Sequence, residues 1–259
     1  MRLTLPLLLL FLSAAAHAAS ERQAAPAGAP AKAPPQFTRF TPDELSRGFM
    51  ALAFGSDLRT VARKPMIRRF DRAIRVHVIN KGTVDRTAQI KKIVAEYATQ
   101  MPALGLTLTD EAAADVTLHL MNEKNFAGAL IEAFGAKIAR TFIARTEPQC
   151  MTSVQSDGEG KIIRSFSFII VDRGEATFLD CAYHEMLHAL GLTNHDQRNR
   201  FTTLNQDRLV GYLSAYDLAL LRLLYDNRMR PGMDRKTVRT LLPRLIESLP
   251  AEVRAKPGG

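Results

Sequence analysis

The chain has 259 residues, 46% of them hydrophobic and 24% charged, with two cysteines and a formal net charge of +9. That balance excludes a disordered chain and a disulfide-dense mini-protein, and the length allows a domain with a full core. The basic excess suits anionic surfaces or acidic substrates, but no zinc-finger, RNA-recognition or helix-turn-helix pattern points to specific nucleic acid binding.

The first 18 residues read as an export signal. Arg2 supplies the positive start, residues 3–12 the apolar core, and Ala16-His17-Ala18 an A-x-A cleavage site. An apolar run this short does not span a membrane, so no transmembrane anchor is expected after signal removal. Residues 19–36 are rich in Ala and Pro, including Pro34 and Pro35, and read as a flexible linker, with a short propeptide as the competing reading. Residues 37–259 are then expected to form one domain. Loss of Arg2 lowers the 35 basic residues to 34 against 26 acidic, a net charge of +8. The excess gathers at residues 64–75 and at Arg228, Arg230, Arg235, Lys236, Arg239 and Arg244. Weak, salt-sensitive contact with anionic envelope surfaces is the expected consequence.

The first predicted helix starts at Thr41, Pro42, Asp43 and Glu44, which have cap and first-turn chemistry, and continues with the apolar stripe Leu45, Phe49, Leu52 and Ala53. Ile74, Val76, Val78 and Ile79, interrupted by Arg75 and His77, predict a strand. Ile90, Ile93, Val94, Tyr97 and Met101 recur at helical spacing. Val116, Leu118 and Leu120, alternating with Thr117 and His119, predict a second strand. His77 and His119 read as ordinary strand residues, since neither has a paired ligand nearby. Residues 150–155 and 162–171 form a predicted hairpin through Asp157-Gly158-Glu159-Gly160. A helix at about 176–190 follows, with two more at about 214–226 and 234–247.

The helix at about 176–190 carries His184-Glu185-Met186-Leu187-His188, an H-E-x-x-H sequence flanked by Phe178, Leu179, Ala182, Ala189 and Leu190. Residues four apart lie one turn above each other, so His184 and His188 can present two imidazoles to one zinc ion. Glu185, one residue along, is placed to act as general base on a water without being a ligand. The competing reading is histidines satisfied by ordinary partners. An apolar helix is a costly place for two imidazoles and a carboxylate unless something compensates.

The continuation Ala189-Leu190-Gly191-Leu192-Thr193-Asn194-His195-Asp196 resembles the metzincin peptidase signature H-E-x-x-H-x-x-G-x-x-H/D. Gly191 takes the glycine position, where a left-handed residue ends the helix. Asn194 stands at the strict third-ligand position, with His195 one place later as the expected third ligand and Asp196 in reserve as a ligand or an acceptor orienting an imidazole. No methionine stands where that family has its turn beneath the metal. The stretch Leu213-Ser214-Ala215-Tyr216-Asp217 and the pair Leu224-Tyr225 resemble the segment leading into the family's last helix and its ending. Cys181, His184, Glu185, His188, Gly191, Leu192 and Asn194 also resemble an uncharacterised secreted bacterial family of unknown function, with His195 where that family has aspartate. The resemblance implies an α+β, zincin-like fold: a mixed β-sheet packed on a backing helix and the H-E-x-x-H helix, with a helical carboxy-terminal part. It also implies an edge strand that binds an extended peptide, a role open to residues 162–170.

Two cysteines in an exported chain predict one disulfide, Cys150–Cys181, with Cys181 as a zinc ligand the rival reading. The expectation is an exported zinc metallohydrolase with one Zn²⁺, most simply a peptidase acting on peptide or protein substrates. Tyr212 or Tyr216 is available to hydrogen-bond its tetrahedral intermediate. The alternatives are a non-catalytic envelope protein retaining the fold and a structural zinc, and a basic envelope-binding module.

Overall fold

The computed structural model describes residues 39–54, 65–146 and 148–254, so the predicted signal, the whole linker and Lys64 lie outside the described residues. Helix α1 (Pro42–Ala53) begins with a complete capping box. The Thr41 hydroxyl accepts the Glu44 N–H at 3.2 Å, and the Glu44 carboxylate accepts the Thr41 N–H at 2.8 Å. Strand β1 (Arg75–Asn80) leads into α2 (Thr87–Gln100), the short strand β2 (Thr107–Leu108) and β3 (Val116–Met121). Two helices unforeseen in the sequence follow, α3 (Glu123–Phe134) and α4 (Ala136–Thr146). The predicted hairpin forms as β4 (Cys150–Ser156) and β5 (Ile162–Ile170), followed by α5 (Glu175–Ala189), α6 (Ala215–Leu224) and α7 (Arg235–Glu247).

The strands form a mixed sheet in the order β2-β1-β3-β5-β4, parallel except for β4, which pairs antiparallel to β5. Among the described residues the protein is thus α+β, with five strands in one sheet and seven α-helices. The order corrects one expectation. Residues 162–170 pair on both sides, with β3 and with β4, so the open edge beside them belongs to β4. Sequence could not show this, because β3 is the partner of β5 across more than forty intervening positions.

Alternation along the strands sorts the side chains onto two faces. Val76, Leu118, Leu120 and Ile169 join the main core beneath α2 and α5, while Met121, Met151, Phe168 and Ile170 pack with Phe126, Leu130 and Ala139 of α3 and α4 on the other face. His119 stacks on Phe168 at 5.0 Å, and His77 Nδ1 meets the Thr109 carbonyl at 2.9 Å. The backing helix α2 is tied to α5 where the Tyr97 hydroxyl donates to the Tyr183 carbonyl at 3.0 Å. Helices α1, α6 and α7 pack together as the helical part. Gly48 permits it: a Cβ there would stand 1.9 Å from the Tyr216 hydroxyl, which donates to the Glu44 carbonyl.

Several cations of the two basic clusters are internal anchors. The Arg69 guanidinium donates to the carbonyls of Leu224, Asp226 and Met229 at 2.7–2.9 Å. Arg72 and Arg75 converge on the buried Asp115, and Arg235 donates to the Phe54 carbonyl. Among the described residues no helix is long and apolar enough to cross a membrane.

Candidate metal centre

Helix α5 packs on β4 and β5 beside α2, with residues 181–189 all buried. Its carboxy terminus explains how the chain turns back. The Leu192 N–H bonds the Leu187 carbonyl and the Gly191 N–H the His188 carbonyl, which is a Schellman closure with Gly191 at φ +112°. A side chain at Gly191 would also meet the Arg68 carbonyl at 2.2 Å. The Tyr225 hydroxyl, from the Leu224-Tyr225 pair, caps the Leu190 carbonyl at 2.8 Å. Asn194, at the strict ligand position, points elsewhere. Its Nδ2 donates to the Ala51 carbonyl and its N–H to the Leu52 carbonyl, both orphan acceptors at the end of α1. Anchored there, the chain delivers His195 to the histidine pair.

Among the described residues, His184, His188 and His195 are the group of potential ligands that converges, with one ring nitrogen of each within 4.8 Å of the others. His184 Nε2 lies 2.7 Å and His188 Nε2 3.1 Å from His195 Nε2. His184 Nδ1 faces the Thr203 carbonyl at 3.1 Å, and His188 Nδ1 the Leu192 carbonyl at 2.5 Å. A carbonyl oxygen only accepts, so both Nδ1 atoms carry the hydrogen and both Nε2 atoms present lone pairs. A single hydrogen on His195 Nε2 can serve one of them well; a shared cation serves all three. Tetrahedral zinc places its nitrogen ligands about 3.3 Å apart, on the scale of these separations. Burial, then the neighbouring His188 and His195, pushes the His184 pKa well below the ordinary imidazole range, opposed by its bond to Thr203. A neutral imidazole is the form that ligates a metal. The donor set therefore fits zinc.

Glu185 is 3% exposed and follows His184 on α5, while its backbone carbonyl accepts the Thr152 hydroxyl of β4 at 3.3 Å. Asp196 stands outside the converging group. Its Oδ1 accepts the Arg198 N–H at 3.2 Å, and the acceptors that orient His184 and His188 are carbonyls instead. Tyr216 is 1% exposed with its hydroxyl spent on Glu44, whereas Tyr212 is half-buried and its carbonyl accepts the Thr203 hydroxyl. Asp180 escaped notice in the sequence, although Asp180, His184 and His188 recur every fourth residue. Burial raises its carboxyl to about 6 against the pull of the Val210 N–H, which it accepts.

Cys150 and Cys181 form the predicted disulfide, which joins the start of β4 to α5 one turn before His184. Closure of that loop contributes about 3–4 kcal/mol through the unfolded state. A Cys150→Ser, Cys181→Ser double variant is expected to lose about that much unfolding free energy in urea titration. An unchanged midpoint would show the bridge to be dispensable.

A family model described as "Protein of unknown function (DUF2927)" matches residues 42–244, which takes in every described α-helix and strand up to α7 and all three histidines. No curated protein matches the chain.

Proposed function

This chain belongs to the DUF2927 family of proteins of unknown function, and we propose that it is an exported zinc-dependent metallohydrolase with a zincin-like fold, acting as a peptidase. One observation carries the reading: three imidazole Nε2 atoms converge, two of them aimed by Nδ1–H bonds to backbone carbonyls. Protein groups that orient ligand histidines in this way are the usual surroundings of a metal. His184, His188 and His195 would hold one Zn²⁺, leaving a coordination position for water. When bound, zinc supplies Lewis-acid polarisation of the scissile carbonyl and makes water a nucleophile near neutral pH. Glu185 takes the proton of the attacking water and passes it to the leaving nitrogen as the carbon–nitrogen bond breaks, so that the proton count closes. A base that is not a ligand has no use in a purely structural zinc site.

The sheet order and the α2–α5 pair beneath it support the zincin-like reading. Strand β4, at the edge and in contact with α5, is the strand on which an extended peptide would add by main-chain pairing. Tyr212, half-buried beside Thr203, is the phenol available to the tetrahedral intermediate. The disulfide supports export, since such bridges persist in oxidising compartments.

The test is metal content and cleavage together. Mature protein purified without chelators should carry about one equivalent of zinc and cut members of a broad peptide library, with both properties lost on chelation. Protein without stoichiometric metal rejects the reading. Zinc without cleavage of any library member makes the protein the non-catalytic alternative.

A further inference from the structure

The residues next to the histidines include a segment without regular secondary structure that is nevertheless buried: Thr202, Thr203 and Leu204 are each 0% exposed and Asn205 is 4% exposed. Buried backbone must find partners, and here the partners matter. The Thr203 carbonyl faces His184 Nδ1, and the Leu204 carbonyl accepts the N–H of Asp196, the residue after His195. Two of the three histidines thus take their placement from this one turn.

What fixes the turn is a carboxylate from the first turn of α6. Asp217 is completely buried. Its Oδ1 accepts the Thr202 hydroxyl at 2.5 Å; its Oδ2 accepts the Thr203 N–H at 2.8 Å and the Ser214 hydroxyl at 2.7 Å. A carboxylate only accepts, so both hydroxyls donate to it, and each hydroxyl oxygen in turn accepts an N–H, Thr202 Oγ1 from Leu204 and Ser214 Oγ from Asp217. A group with two acceptor oxygens and no donor is what this pocket takes. The Asp217 side chain bonds the turn and Ser214, and it reaches the histidines only through that turn.

We propose that Asp217 is the positioning residue of the metal centre, holding residues 202–204 in the arrangement that aims the Thr203 carbonyl at His184 and the Leu204 carbonyl at the peptide following His195. This rests on the zinc reading above. An amide at position 217 has one acceptor oxygen where the carboxylate has two, so the three donors that converge there keep their partners only if a hydroxyl reverses its bond, and the turn is held less tightly. Outer partners of metal-bound histidines are typically worth 10- to 100-fold in metal affinity.

The experiment measures Zn²⁺ affinity of the mature chain by competition with a chromophoric chelator, beside the melting temperature of the metal-free protein. Asp217→Asn should weaken zinc by about 10- to 100-fold while the metal-free protein still melts cooperatively. Thr202→Val should weaken it by about tenfold, and Thr202→Ser should restore it. A purely architectural Asp217 would lower the melting temperature and leave zinc affinity unchanged; that result overturns the proposal and leaves the metal centre standing. Wild-type protein that binds no zinc overturns both. If Asp217→Asn does not fold, the Thr202 pair decides: wild-type affinity in Thr202→Val overturns the proposal.

Discussion

Glu185→Ala should retain one equivalent of zinc and lose peptide hydrolysis by about 10²–10⁴-fold, the range that a positioned general base contributes. The two halves of that result come from one geometric fact. His184 and His188 lie four residues apart on α5, and Glu185 is turned about 100° from His184 around the helix. The carboxylate flanks the histidine face without joining the group that converges on it. Removing it leaves three imidazoles in place, with the carbonyl partners of His184 and His188. Because Glu185 is 3% exposed, truncation also opens a cavity, so Glu185→Gln, which keeps the volume and removes the base, is the sharper companion. The measurements are kcat/KM on the best library peptide and metal content by elemental analysis. Wild-type hydrolysis in either variant would reject Glu185 as the base. Loss of zinc along with activity in both would make Glu185 part of the metal's own support.

His188→Ala and His195→Ala should each lose zinc by more than the 10- to 100-fold that an outer partner is worth, while Asp196→Ala should change it little. Each histidine contributes one of three nitrogens at the centre, and two nitrogens are too few to compete with water for the ion. Asp196 instead caps its local turn through the Arg198 N–H, a bond to an exposed residue. Its truncation touches the site only through the main chain, where its N–H bonds the Leu204 carbonyl, and alanine keeps that donor. Zinc competition titrations on the three variants decide the matter. A large loss in Asp196→Ala with wild-type affinity in His195→Ala would transfer the third ligand to the carboxylate.

How much of this was legible varied with distance along the chain. The capping box at Thr41 and Glu44, the hairpin through residues 157–160 and the spacing of His184 and His188 were readable because their partners lie within a few residues. The disulfide was readable by counting, since two cysteines allow one bridge. Helices α3 and α4 were missed; they bury few side chains and pack on a separate small core on the far face of the sheet, which only the sheet order reveals. The edge position was given to the wrong strand of the hairpin, because alternation shows that a segment is a strand and not how many neighbours it has.

The sequence by itself determined that two imidazoles and a carboxylate share one turn of a buried helix, and that Gly191 ends that helix. Helical geometry is local, and a glycine at positive φ needs no distant partner to be recognised. Only the tertiary structure decided the rest. His195 joins the pair because Asn194 finds the open carbonyls at the end of α1, more than 140 positions earlier in the chain. His184 is oriented by Thr203, and Thr203 by Asp217, each a side chain or peptide brought up from a different segment. Such contacts follow from packing α1, α5 and α6 together, and the residues that make them (an asparagine, two threonines and a buried aspartate) carry no signature until a fold gives each of them something to bond.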